Sequence, residues 1–140
     1  MNRTKMPTPE TWLAAIEAHG FEMEMDVDFD VEDFEGFLPC KYKGEDAGFE
    51  YWAEKTDVNA LAADGMLEGD EVTELGDSDF LVTLSTHADY RELITSMIAA
   101  AVLAELSGGQ LAPGGEPPFL HGAQAVEKIR EDLPGLEREL

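Results

Sequence analysis

The sequence predicts an α+β domain in which an antiparallel β-meander has helices packed on one of its faces. Residues 21–32 alternate apolar and acidic side chains, which is the period of a strand with one buried face. Residues 80–86 form a short apolar run rich in β-branched residues, and a long apolar helix is expected at residues 90–106. A series of strands followed by helices is typical of the α+β class.

The first helix is predicted to begin at Thr8 and Pro9, because a hydroxyl at the N-cap and proline at the first helical position are common helix starts. Gly20 is expected to end it in a C-terminal cap. The acidic strand then occupies residues 21–32 or ends earlier, because strands usually contain about 5–6 residues and twelve is long. Residues 33–36 form the turn that follows. The apolar stripe of the helix consists of Trp12, Leu13 and Ile16.

Two short extended segments, residues 37–43 and 48–54, are predicted to pair as a hairpin around the four residues between them. These four residues begin with glycine and are acidic, which is a typical turn composition. Because side chains alternate along a strand, Phe49 and Tyr51 should share one face of the hairpin. Trp52 should then lie on the opposite face.

The segment between this hairpin and the next strand has a weaker pattern. Residues 57–67 are ambiguous and are expected to contain a short helical turn at most. Residues 68–79 are acidic and glycine-punctuated, so we expect a surface loop with at most a short strand at residues 72–75. Residues 80–86, FLVTLST, are predicted to form a central strand because a continuous apolar run is typical of a strand covered on both faces.

The main helix is predicted at residues 90–106. Asp89 is its expected N-cap, and Glu92 lies at the capping-box position three residues later. The helix is apolar on nearly every side from residue 97 to residue 104, so it should be the buried spine of the core. Gly108 and Gly109 are expected to end it.

The C-terminal part of the chain should contain a loop and one more helix. Glycine and proline predict a loop at residues 110–118, with a short strand at residues 110–111. The last helix is expected from His121 to Leu133, with Pro134 terminating it. A single domain should then span residues 1–140, with flexible ends at residues 1–7 and 135–140.

Charge is the most unusual property of the chain. The net charge is −22, and residues 21–79 contain 20 of the 31 acidic residues but only three of the nine basic ones. Adaptation to high salt would spread acids over the whole surface, so a charged patch is the favoured explanation. A patch of this sign repels phosphate, which argues against nucleic acid and anionic membranes as partners. A basic protein is the expected partner.

Catalytic and metal-binding motifs are not recognisable in the sequence. Asp26, Asp28 and Asp30 have the spacing of a calcium loop, but the required glycine and glutamate are replaced by Val31 and Phe37. The three histidines have no second ligand at metal spacing, and Ser85-Thr86-His87 has no nucleophile-elbow context. We therefore expect no catalytic residues, no metal and no cofactor, and the protein is not expected to be an enzyme.

Cysteine usage and hydropathy indicate a cytoplasmic protein. Cys40 is the single cysteine, so an intramolecular disulfide is excluded, as is a cysteine-rich metal site. The basic residues at the N-terminus are not followed by the apolar stretch of a secretory signal. The longest apolar run, residues 97–104, is too short to span a bilayer.

The candidate partner-binding residues are the acids of the alternating segment together with one aromatic side chain. Neighbouring carboxylates on one strand face would repel each other by roughly 3 kcal/mol in total before salt screening. A chain that retains such repulsion is expected to use the charge in binding. Trp52 is the aromatic expected to supply a desolvated contact, since an aromatic among acids is typical of a binding hot spot. The candidate set is Glu22, Glu24, Asp26, Asp28, Asp30, Glu32 and Trp52.

The layout of the last third of the chain resembles that of small bacterial immunity proteins. The features that carry the resemblance are a long alanine-rich helix from Tyr90, the segment SGGQLAPGGE and a short helix reaching Glu127. The resemblance implies an acidic cytosolic α+β protein that neutralises a cognate secreted toxin, with a nuclease as one candidate. It carries over no site residues.

Two other classes of function remain open from the sequence. One is a small enzyme or ligand-binding domain with its site between sheet and helices, which a deep pocket with converging polar groups would favour. The other is an acidic housekeeping domain that forms a homodimer through a sheet edge.

Overall fold

The structure is a computed structural model that describes residues 1–115 and 118–140. Short 3₁₀ turns lie at Arg3–Lys5 and Pro113–Gly115. Residues 116 and 117 of the predicted 110–118 loop lie outside the described residues. The helices are α1 (Pro9–Ala18), α2 (Val58–Ala63), α3 (Gly69–Leu75), α4 (Tyr90–Ser107) and α5 (Gly122–Glu137). The strands are β1 (Met23–Met25), β2 (Gly36–Tyr42), β3 (Glu45–Lys55), β4 (Phe80–Ser85), β5 (Gln110–Leu111) and β6 (Leu120–His121).

The main sheet has four antiparallel strands in the order β1-β2-β3-β4, which confirms the predicted α+β class and meander. Helix α4 packs against β2, β3 and β4. We call the sheet face toward α4 the inner face; it contains Leu38, Phe49 and Tyr51, all buried. The opposite face is called the outer face. Packing of all the helices on one face stays a prediction.

The core confirms the predicted role of the main helix. Ile94, Ile98 and Val102 of α4 are fully buried, and α1 and α5 pack against the same helix. The start of α1 is also as predicted, because the Thr8 side chain accepts a hydrogen bond from the main chain of Thr11 and Pro9 begins the helix. The short strand predicted at residues 110–111 is present as β5, paired with β6.

The prediction of a long acidic strand at residues 21–32 is wrong, because β1 contains only Met23–Met25. The residue after the strand, Asp26, donates its main-chain N–H to the carbonyl of Pro39. Proline has no N–H, so Pro39 cannot return the second bond of the pair. The antiparallel ladder therefore ends there, and residues 26–35 form a loop.

The hairpin between β2 and β3 is present, but its predicted four-residue loop is wrong. The register pairs Tyr42 with Glu45, so only Lys43 and Gly44 form the turn. Both have positive φ angles, 50° and 82°. This is the backbone of a two-residue hairpin turn that matches the twist of the strands, and it lets the acidic residues after Gly44 belong to β3.

The segment 57–79 is helical where a loop was expected. Residues 58–63 form α2, which agrees with the short helical turn, but residues 69–75 form α3 instead of a loop or strand. The cause is local capping: the main-chain N–H of the N-cap residue Glu68 donates to the Glu71 carboxylate at 2.8 Å. Helices α2 and α3 pack against each other.

The prediction that residues 80–86 form a central strand is wrong, because β4 is the last strand of the sheet. Beyond it, the main chain of Met1 exchanges two 3.0 Å hydrogen bonds with Phe80. The side chains alternate between the faces, so Phe80 is buried while Leu81 is 46% exposed. The apolar run therefore reflects an edge strand with apolar residues on both of its faces.

The predicted end of the last helix at Pro134 is also wrong, since α5 continues to Glu137. Proline this late in a helix removes one main-chain donor, and the next turn still forms. That turn is held by Glu137, which accepts from the Tyr42 hydroxyl and pairs with Lys43 at 2.9 Å. Flexibility of residues 1–7 and 135–140 stays a prediction, although Met1 pairs with β4 and residues 135–137 belong to α5.

Candidate partner-binding interface

The loop formed by residues 26–35, called the acidic loop below, is folded by its own aspartates. The Asp26 carboxylate accepts the main-chain N–H of Asp28 at 2.9 Å, and the Asp30 carboxylate accepts that of Glu32 at 3.0 Å. The Asp30 carbonyl then accepts the N–H of Phe34 at 2.8 Å. Aspartate side chains that bond the main chain two residues ahead compete with strand pairing, so the chain turns back.

Apolar side chains of the acidic loop attach it to the sheet. The rings of Phe29 and Phe34 lie 5.4 Å and 6.0 Å from the ring of Tyr51 on β3. The Tyr51 hydroxyl donates to the Val31 carbonyl at 2.5 Å. Burial, together with the nearby Asp30 and Glu32 charges, raises the pKa of Tyr51, so the hydroxyl remains a donor. The apolar half of the alternation thus points inward although most of the segment is not a strand.

The six acids predicted to share one strand face are all exposed, but they do not form one sheet surface. We call them the acidic row: Glu22, Glu24, Asp26, Asp28, Asp30 and Glu32. Glu24 lies on β1 opposite Lys41 of β2, and Glu22 precedes that strand. Asp28, Asp30 and Glu32 lie in the acidic loop. The prediction of a single strand face is therefore wrong, because the row divides where β1 ends.

Few cations neutralise this row. Glu32 pairs with Arg3 at 3.1 Å, and both side chains are about half exposed. Within the described residues, the other five acids of the row form no ion pair. An exposed pair of this kind contributes about 1 kcal/mol or less, so the row keeps most of its charge.

An open cleft of about 460 Å³ lies between the acidic loop and the end of the sheet. The charged side chains that line it are Asp30, Glu32, Asp33, Glu54, Arg3 and Lys55. Four carboxylates against two cations give the cleft a negative charge. It can accept a lysine or arginine side chain from a partner, whereas its polar, open walls do not suit an apolar ligand. Neither Asp33 nor Glu54 is predicted as a site residue from the sequence. Asp33 follows Glu32 in the acidic loop, whereas Glu54 reaches the cleft only through tertiary folding.

The two tryptophans have different environments. Trp12 is fully buried, and its indole N–H donates to the carbonyl of Ala99 at 3.0 Å. Trp52 is partly exposed and lies on the outer face, opposite to Phe49 and Tyr51, as strand alternation predicts. The role of Trp52 in binding stays a prediction.

Each of the three histidines has a side-chain partner, which for His121 is Gln110 at 3.0 Å. His19 contacts Glu105 at 2.5 Å and Arg130 at 3.1 Å, and His87 contacts Glu92 at 3.2 Å. Within residues 1–115 and 118–140, no three His, Cys, Asp or Glu side chains converge as metal ligands.

Cys40 is buried in the sheet. Burial, with a smaller contribution from the charge of Asp26, raises the pKa of its thiol to about 12. The thiolate, which is the nucleophilic form, is therefore disfavoured at neutral pH. This environment suits a small buried apolar residue.

Comparison with protein-family models, curated proteins and solved structures gave no match. Among the described helices, none is long and apolar enough to cross a bilayer.

Proposed function

We propose that the protein is an acidic protein-binding module of the immunity or inhibitor type, which neutralises a basic toxin in the cytoplasm. The observation that carries the proposal is the exposed row of six acids at residues 22–32, of which only Glu32 has an ion-pair partner within the described residues. The acidic cleft beside Asp30 and Glu32 adds sites for cationic side chains of the partner.

The contribution expected from these acids is mainly kinetic. Complementary charge accelerates association from the usual 10⁵–10⁶ M⁻¹s⁻¹ to about 10⁸ M⁻¹s⁻¹ or more at low salt, and salt screens the effect. The residues proposed to act in this way are Glu22, Glu24, Asp26, Asp28, Asp30 and Glu32. Trp52 supplies a contact that excludes water.

A nuclease is the favoured toxin class. Its active cleft must attract nucleic acid phosphates, so the cleft itself is basic. The positive potential of this cleft also attracts clustered exposed carboxylates. A protein that carries them can therefore occupy the cleft in place of nucleic acid. In that mechanism the inhibitor performs no chemistry.

The test begins with the gene immediately upstream of the one encoding this chain. The C-terminal domain of its product is expressed in a bacterial host with and without this protein. We expect growth arrest that co-expression relieves, together with a complex of the two purified proteins. A non-toxic product, or toxicity without relief, would contradict the proposal.

The same complex tests the charge mechanism by stopped-flow kinetics. Glu24→Gln with Asp28→Asn and Asp30→Asn should slow association about tenfold and flatten its dependence on salt. Asparagine at position 30 keeps an oxygen that can accept the Glu32 N–H. The control removes the same charge from helix surfaces: Glu10→Gln, Glu17→Gln and Glu127→Gln. Equal rates for the two triple variants would exclude the acidic row from steering.

A further inference from the structure

The outer face of the sheet exposes large apolar side chains from three neighbouring strands. Phe37 of β2 is 43% exposed and Leu81 of β4 is 46% exposed. Trp52 of β3 lies between these strands and is partly exposed. Single exposed apolar residues need no explanation, but three of them on one face of neighbouring strands make that face a candidate contact surface.

The register places the three side chains along a diagonal of the outer face. Trp52 is opposite Thr83, and Leu81 is the next residue of β4 on that face. Diagonal neighbours in a sheet are about 7–8 Å apart, a distance that the large side chains of Trp52 and Leu81 can bridge. Phe37 is opposite Glu50, and its ring leans away from Trp52, so Glu50 separates the two aromatic side chains. We call Phe37, Trp52 and Leu81 the apolar strip.

A glycine fixes the position of the Phe37 ring. Gly48 on β3 has φ +143°, and a Cβ added there would lie 2.6 Å from Cζ of Phe37. The ring therefore lies over the bare main chain of β3, in space that any other residue would fill. A ring held in this way loses little conformational entropy when a partner covers it, which favours binding.

Carboxylates lie within the apolar strip. Glu50 and Glu54 flank Trp52 on the outer face of β3, and within the described residues neither forms an ion pair. Among the described strand residues of the outer face, the cation is Lys41, which lies farther along the sheet, between Glu24 and Asp46 in the register. The strip therefore has an uncompensated negative charge.

We propose that the apolar strip with Glu50 and Glu54 is the docking surface for a basic segment of the partner, in which cationic and apolar side chains alternate. We assign a basic segment to this surface because its positive charge complements the negative charge of Glu50 and Glu54. A second copy of the chain is disfavoured because it would place the same carboxylates against each other. The inference rests on the proposed function and adds the surface on which the partner is desolvated. The acidic loop, which packs against the inner-face residue Tyr51, instead attracts the partner electrostatically from a distance.

Two synthetic peptides serve as probes: a 12-residue peptide alternating leucine and lysine, and a peptide of equal charge alternating serine and lysine. Trp52 reports docking by fluorescence, and the fully buried Trp12 provides a constant background. We expect the leucine peptide to bind about tenfold more tightly, to shift Trp52 emission to the blue and to protect it from acrylamide. Equal affinities, or unchanged Trp52 emission, would overturn the inference.

Substitutions locate the surface. Phe37→Ser and Leu81→Ser should each remove most of the advantage of the leucine peptide, whereas Leu106→Ser, an exposed leucine of α4, should not. Glu50→Gln with Glu54→Gln should weaken both peptides more than Asp28→Asn with Asp30→Asn. Circular dichroism checks that each variant is folded. If a serine variant does not fold, the variant with Glu50→Gln and Glu54→Gln still tests the surface independently.

Two further results would overturn the inference without deciding the proposed function. One is a dimer of the chain alone, seen by sedimentation and abolished by Phe37→Ser, which would assign the strip to self-association. The other is identical peptide binding by the Glu50/Glu54 and Asp28/Asp30 variants, which would leave only diffuse charge attraction. Relief of toxicity by co-expression tests the proposed function separately, because it does not depend on which face binds.

Discussion

The hydroxyl of Tyr51 donates to the main-chain carbonyl of Val31 at 2.5 Å, across 20 residues of chain. The hydrogen bond joins a strand of the sheet to the acidic loop, and the rings of Phe29 and Phe34 pack around it. The Val31 carbonyl, which lies outside the sheet, thereby gains a hydrogen-bond donor. Tyr51 is therefore the anchor that holds the exposed carboxylates of the loop in place.

The first prediction concerns this anchor. Tyr51→Phe keeps the buried ring and removes the hydroxyl, so we expect the free energy of unfolding to fall by about 1 kcal/mol, the net value of a typical hydrogen bond. Hydrogen exchange of the amides at residues 27–34 should accelerate. Urea unfolding and exchange mass spectrometry measure the two effects. Tyr90→Phe, on an exposed tyrosine of α4, is the control, and equal effects of both substitutions would contradict the assigned role.

The alternation at residues 21–32 shows what a sequence pattern can and cannot reveal. It correctly predicts that Phe21, Met23, Met25 and Phe29 pack on the core, because burial follows from the chemistry of each residue. It does not predict where the strand ends, since that depends on the partner residue Pro39 and on the Asx turns at Asp26 and Asp30. The alternation of side chains along β3 likewise correctly predicts that Trp52 lies on the face opposite to Phe49 and Tyr51.

Features that depend on distant parts of the chain were not predictable from local pattern. The apolar run of β4 indicates burial but does not show that the strand is at the edge of the sheet. Pro134 weakens α5 locally, whereas the contact of Glu137 with Tyr42 and Lys43 comes from a hairpin almost 100 residues earlier. The acidic cleft also joins segments far apart in sequence. Its side chains meet only after folding.

The second prediction concerns the contact between α4 and α5. A Cβ at Gly122 would lie 2.7 Å from the carbonyl carbon of Ala104 and still closer to the main chain of Glu105. Gly122→Ala should therefore reduce the free energy of unfolding by about 1–3 kcal/mol, since neither main chain can move without disturbing the core. Thermal and urea unfolding measure the change.

The same helix provides a matched control for this substitution. Apart from the neighbouring residues and main chain of α5 itself, no atom of the described residues lies within 4 Å of the position that a Cβ would take at Gly135. Gly135→Ala should therefore stabilise the protein by up to about 1 kcal/mol through helix propensity. If glycine to alanine lowers the free energy of unfolding at position 122 and raises it at position 135, the close approach of α5 to α4 at Gly122 is confirmed. Stabilisation by both would show that α5 can move away from α4.

The third prediction concerns the pH dependence of the contact at the end of α5. Hydrogen bonds from Tyr42 and then Lys43 hold the pKa of Glu137 below its ordinary value. A lowered folded-state pKa means that the contact stabilises the protein above the ordinary glutamate pKa of about 4.3, and that stabilisation is lost as the pH falls through the folded-state pKa. Glu137→Gln should therefore reduce stability at pH 7 and make progressively less difference below about pH 4.3.

A double-mutant cycle assigns this pH dependence to the contact rather than to the many other carboxylates. The stability difference between wild type and Glu137→Gln is measured by urea unfolding from pH 7 to pH 3, and again in a Tyr42→Phe background. Because the Tyr42 hydroxyl is the main cause of the lowered pKa, the pH-dependent part of the difference should shrink in that background. A difference independent of pH in the wild type, or one unchanged by Tyr42→Phe, would show that the carboxylate of Glu137 does not hold the last turn of α5 to the β2–β3 hairpin.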